Sequence, residues 1–213
     1  MIRTIVCFGD SNTHGTDALD GSRHPRDVRW PGVLRSTLGE GFEVIEEGLG
    51  GRTTVFDSPL APARNGRDYL LPCLWSHEPV DLVIIMLGTN DLKRIHGLTA
   101  NEIALGAGLL IDLARQSLAG PGGRSPAVVL VAPVPLGEPT ERSVVWGFGT
   151  AREESAKLAD AYRVVAREHD VPFLDAGSVA TVSAQDGVHL DADAHRAIGT
   201  ALGALVREAL APT

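Results

Sequence analysis

Four short stretches of this chain are apolar without alternating with polar residues: Ile2–Phe8, Asp81–Leu87, Ala127–Ala132 and the weaker Val171–Leu174. A strand with one wet face alternates, whereas a continuous run rich in Val and Ile belongs to a strand buried on both faces. Phe42–Glu47 adds a fifth candidate strand. Helical periodicity fills the intervals. Asn101–Leu118 carries Ile103, Ala107, Leu110, Ile111, Ala114 and Leu118 at spacings of three and four, with Thr99 and Glu102 set as a capping box. Ala151–His169 and Ala194–Leu210 repeat the pattern. Strands that alternate with helices predict an α/β fold, a doubly wound three-layer α/β/α sandwich on a five-stranded parallel sheet. Such sheets bind ligands beyond the carboxyl ends of their strands.

Two long connections, 48–68 and 133–150, are rich in Gly, Pro and polar residues. Both follow predicted strands, so both belong to that carboxyl edge, and loops of this length in a compact domain are usually functional. Nothing in the 213 residues marks a second domain, so residues 1–213 are expected to form one. The net charge of -8 and the scattered Lys and Arg exclude a nucleic-acid footprint. No apolar stretch approaches the roughly 20 residues of a membrane helix, and the start lacks a signal-peptide core, so a cytoplasmic protein without membrane contact is expected. Cys7 and Cys73 lie far apart, which implies neither a disulfide framework nor a Cys-x-x-Cys site.

Four motifs fall at that edge. Ser11, in Gly9-Asp10-Ser11, directly follows the first strand; it fits a helix cap as well as a nucleophile. Asp186 and His189, in "DGVHL", are spaced so that a carboxylate can orient an imidazole, or are simply a turn and a surface residue. Asn90, in "GTND", and the backbone of "GLGGRTT" around Gly51 offer donors for an oxyanion, though either is also an ordinary loop. His189, Asp191, Asp193 and His195 make a weaker metal reading, because two of these acids have helix-cap positions; no metal and no cofactor is expected. A phosphate-binding loop at "GDSNTHG" is the rival from a different class, a non-catalytic binding module; it lacks a P-loop Lys and leaves "DGVHL" unexplained.

Taken together, "FGDSNTHG", "EEGLGGRTT", "MLGTND" and "DGVHL" resemble the four blocks of the SGNH (GDSL-type) hydrolases, in family order. The resemblance implies a flavodoxin-like sheet, Ser11 as nucleophile, His189 as base, Asp186 as its orienting acid, and an oxyanion hole from Ser11 N–H, Gly51 N–H and Asn90. The chain is most similar to the small bacterial arylesterases and acyltransferases of that superfamily. This implies a serine esterase for short acyl esters, a small-molecule ester as substrate, acyl transfer as a side activity and a homo-oligomer. A carbohydrate O-acetylesterase is the alternative within the superfamily. Asn12 stands where the family usually has Leu, and His14 and Thr16 replace the aromatic residues of the acyltransferases. Asp10 is expected to brace the nucleophile turn, Arg52 to pin the second block through backbone carbonyls, and His14 to line the pocket. Trp146 and Phe148 are expected to form a subunit contact, with a pocket wall as the other use. His24, His77, His96, His169 and His195 are read as surface or packing residues.

Overall fold

In the computed structural model, which describes residues 2–211, five strands form one parallel sheet: β1 (Arg3–Gly9), β2 (Phe42–Gly48), β3 (Leu82–Met86), β4 (Ala127–Ala132) and β5 (Phe173–Asp175). Their order is β2-β1-β3-β4-β5, with Ile5 of β1 in register with Val44 on one side and Leu82 on the other. This is the order of the flavodoxin-like sheet that the family resemblance implies.

The apolar runs work because successive side chains leave a strand on opposite faces. From β1 and β3, Val6, Phe8, Val83 and Ile85 enter one core, where they meet α3 (Gly66–Ser76), α4 (Ala100–Gln116) and α7 (Leu158–Glu168) through Leu70, Ile103, Leu110 and Tyr162. Ile5, Cys7, Leu82 and Ile84 enter the other, under α2 (Trp30–Leu38) and α8 (Ala192–Ala209), with Trp30, Leu34, Ile198 and Leu202. A bare face would forfeit about 1.5–3 kcal/mol per large apolar side chain, so both layers are required. The inner strands are buried apart from the first residues of β1 and β4; β2 and β5, at the sheet edges, are only partly covered, which is why their sequences read less clearly.

α4 begins at Thr99 with the capping box formed by Glu102, as the sequence predicts. The single helix expected over 151–169 is instead two, α6 (Arg152–Ser155) and α7. The Ser155 hydroxyl donates to Arg152 C=O and accepts the Leu136 N–H at 3.0 Å, tightening the turn where the helix breaks. The 133–150 connection carries a short helix, α5 (Glu141–Val145), capped by Thr140 and Ser143. No helix among the described residues is long and apolar enough to cross a membrane.

Because β1 and β3 are neighbours while β2 lies outside β1, the chain reverses its direction of winding between them. The carboxyl ends of β1, β2 and β3 therefore open on a shared crevice. The loops after β4 and β5 close it from the other side.

Candidate active site

β1 ends at Gly9 and turns at once into α1 (Ser11–His14). The turn requires glycine, since a Cβ at position 9 would stand 2.0 Å from Thr13 Oγ1 and 2.8 Å from Met86 O. The helix cap is Asp10, whose Oδ1 accepts the Asn12 N–H at 2.9 Å. Asp10 thus braces the turn as expected, and burial raises its carboxyl above the ordinary value. The capping alternative for Ser11 passes to its neighbour. Ser11 is the first helical residue, and its Oγ lies 3.0 Å from His189 Nε2.

His189 is held on a turn before α8. Its Nδ1 is 2.7 Å from Asp186 Oδ2, while Asp186 Oδ1 accepts the backbone N–H groups of Val188 and His189, each at 2.9 Å. Burial acts to raise the Asp186 carboxyl, but the hydrogen bonds from the His189 ring and from those two amides outweigh it and hold the group below the usual carboxylate range. An ionised Asp186 keeps a proton on Nδ1. The lone pair of Nε2 then faces the Ser11 hydroxyl.

Asn12 fastens the two loops together: its Nδ2 donates to Val188 C=O at 3.2 Å and its Oδ1 accepts the Leu190 N–H at 3.1 Å. An apolar residue here would do neither. The separation that sets Ser11 against His189 therefore rests partly on the residue that departs from the family pattern.

Gly51 follows β2 with φ +82°, a left-handed conformation that glycine adopts without strain. Its N–H makes no backbone hydrogen bond among the described residues. The adjacent Arg52 is buried; it donates to Gly9 C=O at 2.9 Å and to Glu47 C=O, and its guanidinium lies 4.3 Å from the Phe8 ring centroid and 5.2 Å from that of Tyr69. Arg52 C=O in turn accepts Asn90 Nδ2 at 3.1 Å, and Asp10 Oδ2 stands 3.5 Å from the same nitrogen. One buried arginine thus ties together the ends of β1, β2 and β3, the backbone-pinning role expected of it.

Thr54 and Asp91 form a pair that no sequence motif indicates. The carboxylate accepts the Thr54 N–H at 2.9 Å and the Thr54 hydroxyl at 2.5 Å, locking the second block to the third. Burial pushes Asp91 up to about 6 despite those bonds.

Ser11, Gly50, Gly51, Asn90, Trp146 and His189 line a cleft of about 250 Å³. Trp146 meets the His189 ring edge-on at 5.5 Å, and Phe148, already buried within the single chain, also lines the cleft. Trp146 and Phe148 are therefore cleft-wall residues. Of the two uses expected of them, the pocket wall is the one seen within the single chain, where Phe148 is buried and Trp146 half-buried. His14, expected to line the pocket, is not among the residues that line this cleft, whereas Thr16 is. Lys93, not singled out from the sequence, joins the wall with its Nζ 5.3 Å from the Phe148 ring centroid, and burial lowers its pKa.

The weaker metal grouping does not assemble. His189 is engaged by Asp186 and Ser11, Asp191 caps α8 through the Ala194 N–H, Asp193 pairs with Arg196, and His195 is buried with Nδ1 accepting the Trp30 N–H at 3.3 Å. Of the histidines read as packing or surface residues, His77 has a partner the sequence did not indicate, with Nε2 2.8 Å from Glu47 Oε1.

The GDSL-like lipase/acylhydrolase family matches residues 7–197. Among solved structures, the native aryl esterase of M. smegmatis is 43% identical with a TM-score of 0.92, over 98% of this chain and 100% of that one. Est24, a carbohydrate acetylesterase from Sinorhizobium meliloti, is 39% identical with a TM-score of 0.92, over 97% and 99%. A putative arylesterase from Agrobacterium tumefaciens str. C58 is 44% identical with a TM-score of 0.90, over 98% and 100%. An uncharacterized lipoprotein of Bacillus subtilis (strain 168) is 32% identical over 87 residues; that match spans 41% of this chain and only 31% of the lipoprotein. With these likenesses added to the sheet order and to four motif blocks meeting on one edge, the chain is a hydrolase of the SGNH fold and belongs to the GDSL-like lipase/acylhydrolase family.

Proposed function

We propose that the chain is a serine esterase that hydrolyses short-chain carboxylic esters through an acyl-Ser11 intermediate. The observation that carries this reading is the relay from Asp186 through His189 to Ser11, with contacts of 2.7 and 3.0 Å. In the first step Ser11 Oγ attacks the ester carbonyl while His189 Nε2 takes its proton. The developing oxyanion is met by Ser11 N–H, Gly51 N–H and the Asn90 amide. His189 then protonates the departing alkoxide. Water enters, gives its proton to His189 and attacks the acyl carbonyl, and the acid leaves as Ser11 regains its hydrogen. Asp186 stays ionised throughout, holding the imidazole in one tautomer. No step requires a cofactor.

The cleft, at about 250 Å³, is below the roughly 300 Å³ where pockets for drug-sized ligands begin, which supports an acetyl-sized acyl group over a long chain. Acyl transfer to an alcohol is a side activity in this reading, since it needs water kept from the acyl-enzyme and the polar Thr16 lines the cleft. The likeness to a carbohydrate acetylesterase favours a second substrate class, acetylated sugars. Rates on p-nitrophenyl acetate, p-nitrophenyl butyrate and acetylated xylan, for the wild type and Ser11→Ala, test both readings. Acetate above butyrate, with both lost in Ser11→Ala, is expected; a Ser11→Ala protein that keeps its rate overturns the nucleophile, and xylan above the aryl esters selects the sugar class. Self-association belongs to the same proposal, supported by exposed Val144 and Val145 on α5 beside the cleft wall. A monomer in sedimentation equilibrium would remove it.

A further inference from the structure

Glu47, Cys73 and His77 meet near the carboxyl end of the edge strand, and none of them lines the cleft. Glu47 is the penultimate residue of β2, Cys73 lies inside α3, and His77 is the C-cap of that helix. A separation of four residues sets Cys73 and His77 one above the other on the same helical face. One ligating atom from each of the three residues lies within 4.8 Å of the other two. In a tetrahedral zinc site, with Zn–S about 2.3 Å and Zn–N or Zn–O about 2.0–2.2 Å, ligand atoms stand about 3.4–3.6 Å apart. The three side chains can close on an ion by moving about an ångström, within ordinary rotamer adjustment.

We propose that Glu47, Cys73 and His77 form a binding site for a thiophilic divalent cation of the Zn²⁺ class. A sulfur, an imidazole nitrogen and a carboxylate oxygen make a mixed, borderline-soft donor set that suits Zn²⁺ or Co²⁺ and suits Mg²⁺ or Ca²⁺ poorly. The charges also balance: thiolate and carboxylate together neutralise the ion, and the imidazole binds neutral. The Cys73 proton leaves to solvent, and the His77 proton that faces Glu47 moves to Nδ1, freeing Nε2 as the ligand. Cys73 itself is fully buried, while the side chains of Glu47 and His77 are 19% and 29% exposed, so the ion enters past these two and its fourth position opens to water. Burial, reinforced by Glu47 and opposed by the nearby Arg52 guanidinium, pushes the Cys73 thiol up to about 12. That makes it a poor nucleophile when free, and it makes ion binding compete with a proton and strengthen as pH rises. The grouping joins two segments about thirty positions apart in the chain, and so leaves no motif in the sequence.

The test uses the whole chain freed of metal by chelator, titrated with zinc chloride by calorimetry and with cobalt chloride by absorption. One ion per chain is expected, with a thiolate-to-cobalt charge-transfer band in the near ultraviolet and affinity that increases with pH. Cys73→Ser removes the band and weakens binding at least about tenfold, and His77→Gln weakens binding by at least as much. Melting in chelator serves as the fold check for both variants, and if Cys73→Ser fails it, the wild-type cobalt spectrum with His77→Gln decides. No saturable binding, binding without the charge-transfer band, or affinity unchanged by His77→Gln overturns the site.

Discussion

Replacing Asp186 by Asn exchanges one carboxylate oxygen for an NH₂ group, and its effect can be worked through the hydrogen-bond geometry. Oδ1 of Asp186 accepts two backbone N–H groups, from Val188 and His189 at 2.9 Å, and those donors cannot be satisfied by an NH₂ group. In Asp186→Asn the amide oxygen must therefore take the Oδ1 position, which leaves the NH₂ against His189 Nδ1, 2.7 Å away in the native contact. The imidazole then accepts at Nδ1 and carries its proton on Nε2. Ser11 Oγ, 3.0 Å from that nitrogen, now faces a donor and loses its base. The wrong tautomer in a serine-protease triad costs about 10⁴ in kcat, equivalent to about 5.4 kcal/mol of barrier. The assay is p-nitrophenyl acetate turnover at pH 7 and above, with circular dichroism and a urea melt confirming the fold. A loss of less than about tenfold would refute the reasoning, because it would mean that Asp186 does not set the tautomer of the reacting histidine.

Three further outcomes are expected. Asn90→Ala removes one oxyanion donor and should lower kcat by about 10²–10³ with little change in KM; turnover near the wild type would take Asn90 out of the hole. Asn12→Leu leaves Val188 C=O and Leu190 N–H unpaired in a buried setting, and urea denaturation should register a loss of about 2 kcal/mol, where under about 0.5 would show that the two loops do not depend on it. Burial, with His24 and Arg29 nearby, lowers His195 to about 3 in the folded protein, against about 6.5 when unfolded. Its folded pKa is depressed, so the contribution is present above about 6.5 and is lost as pH falls, since only the unfolded chain takes up that proton. Between about pH 7.5 and 5.5 the wild type should lose about 1.4 kcal/mol relative to His195→Gln, and parallel stability curves would contradict this.

The inner strands were legible because a strand covered on both sides has no polar face to interrupt its apolar run. β2 and β5 were harder to read because an edge strand is half wet. α4 announces itself through Thr99 and Glu102. α2 carries a fainter signal, in Trp30, Leu34 and Leu38 at a four-residue spacing, and α3 hides behind Pro72 and a mixed face. Within the site, Ser11, Asn90, Gly51, Asp186 and His189 were named from their blocks, and the fold brings all five to one edge. Which residue caps α1 was not legible, since Asp10 and Ser11 are both good caps and only the turn forced by Gly9 chooses between them. The side taken by Trp146, the C-cap of α5, depends on how the 133–150 connection folds, which periodicity does not encode. Pairings such as Thr54 with Asp91, or Glu47 with Cys73 and His77, join distant segments and have no local signature.

The most direct measurement of the central claim is acid-quenched mass spectrometry of the protein mixed with excess p-nitrophenyl acetate. An acetyl group on the peptide that contains Ser11, formed within one turnover and absent from the Ser11→Ala protein, is the predicted result. Turnover by the wild type with no acyl adduct at any quench time, or an adduct that maps to another residue and persists in Ser11→Ala, would contradict it.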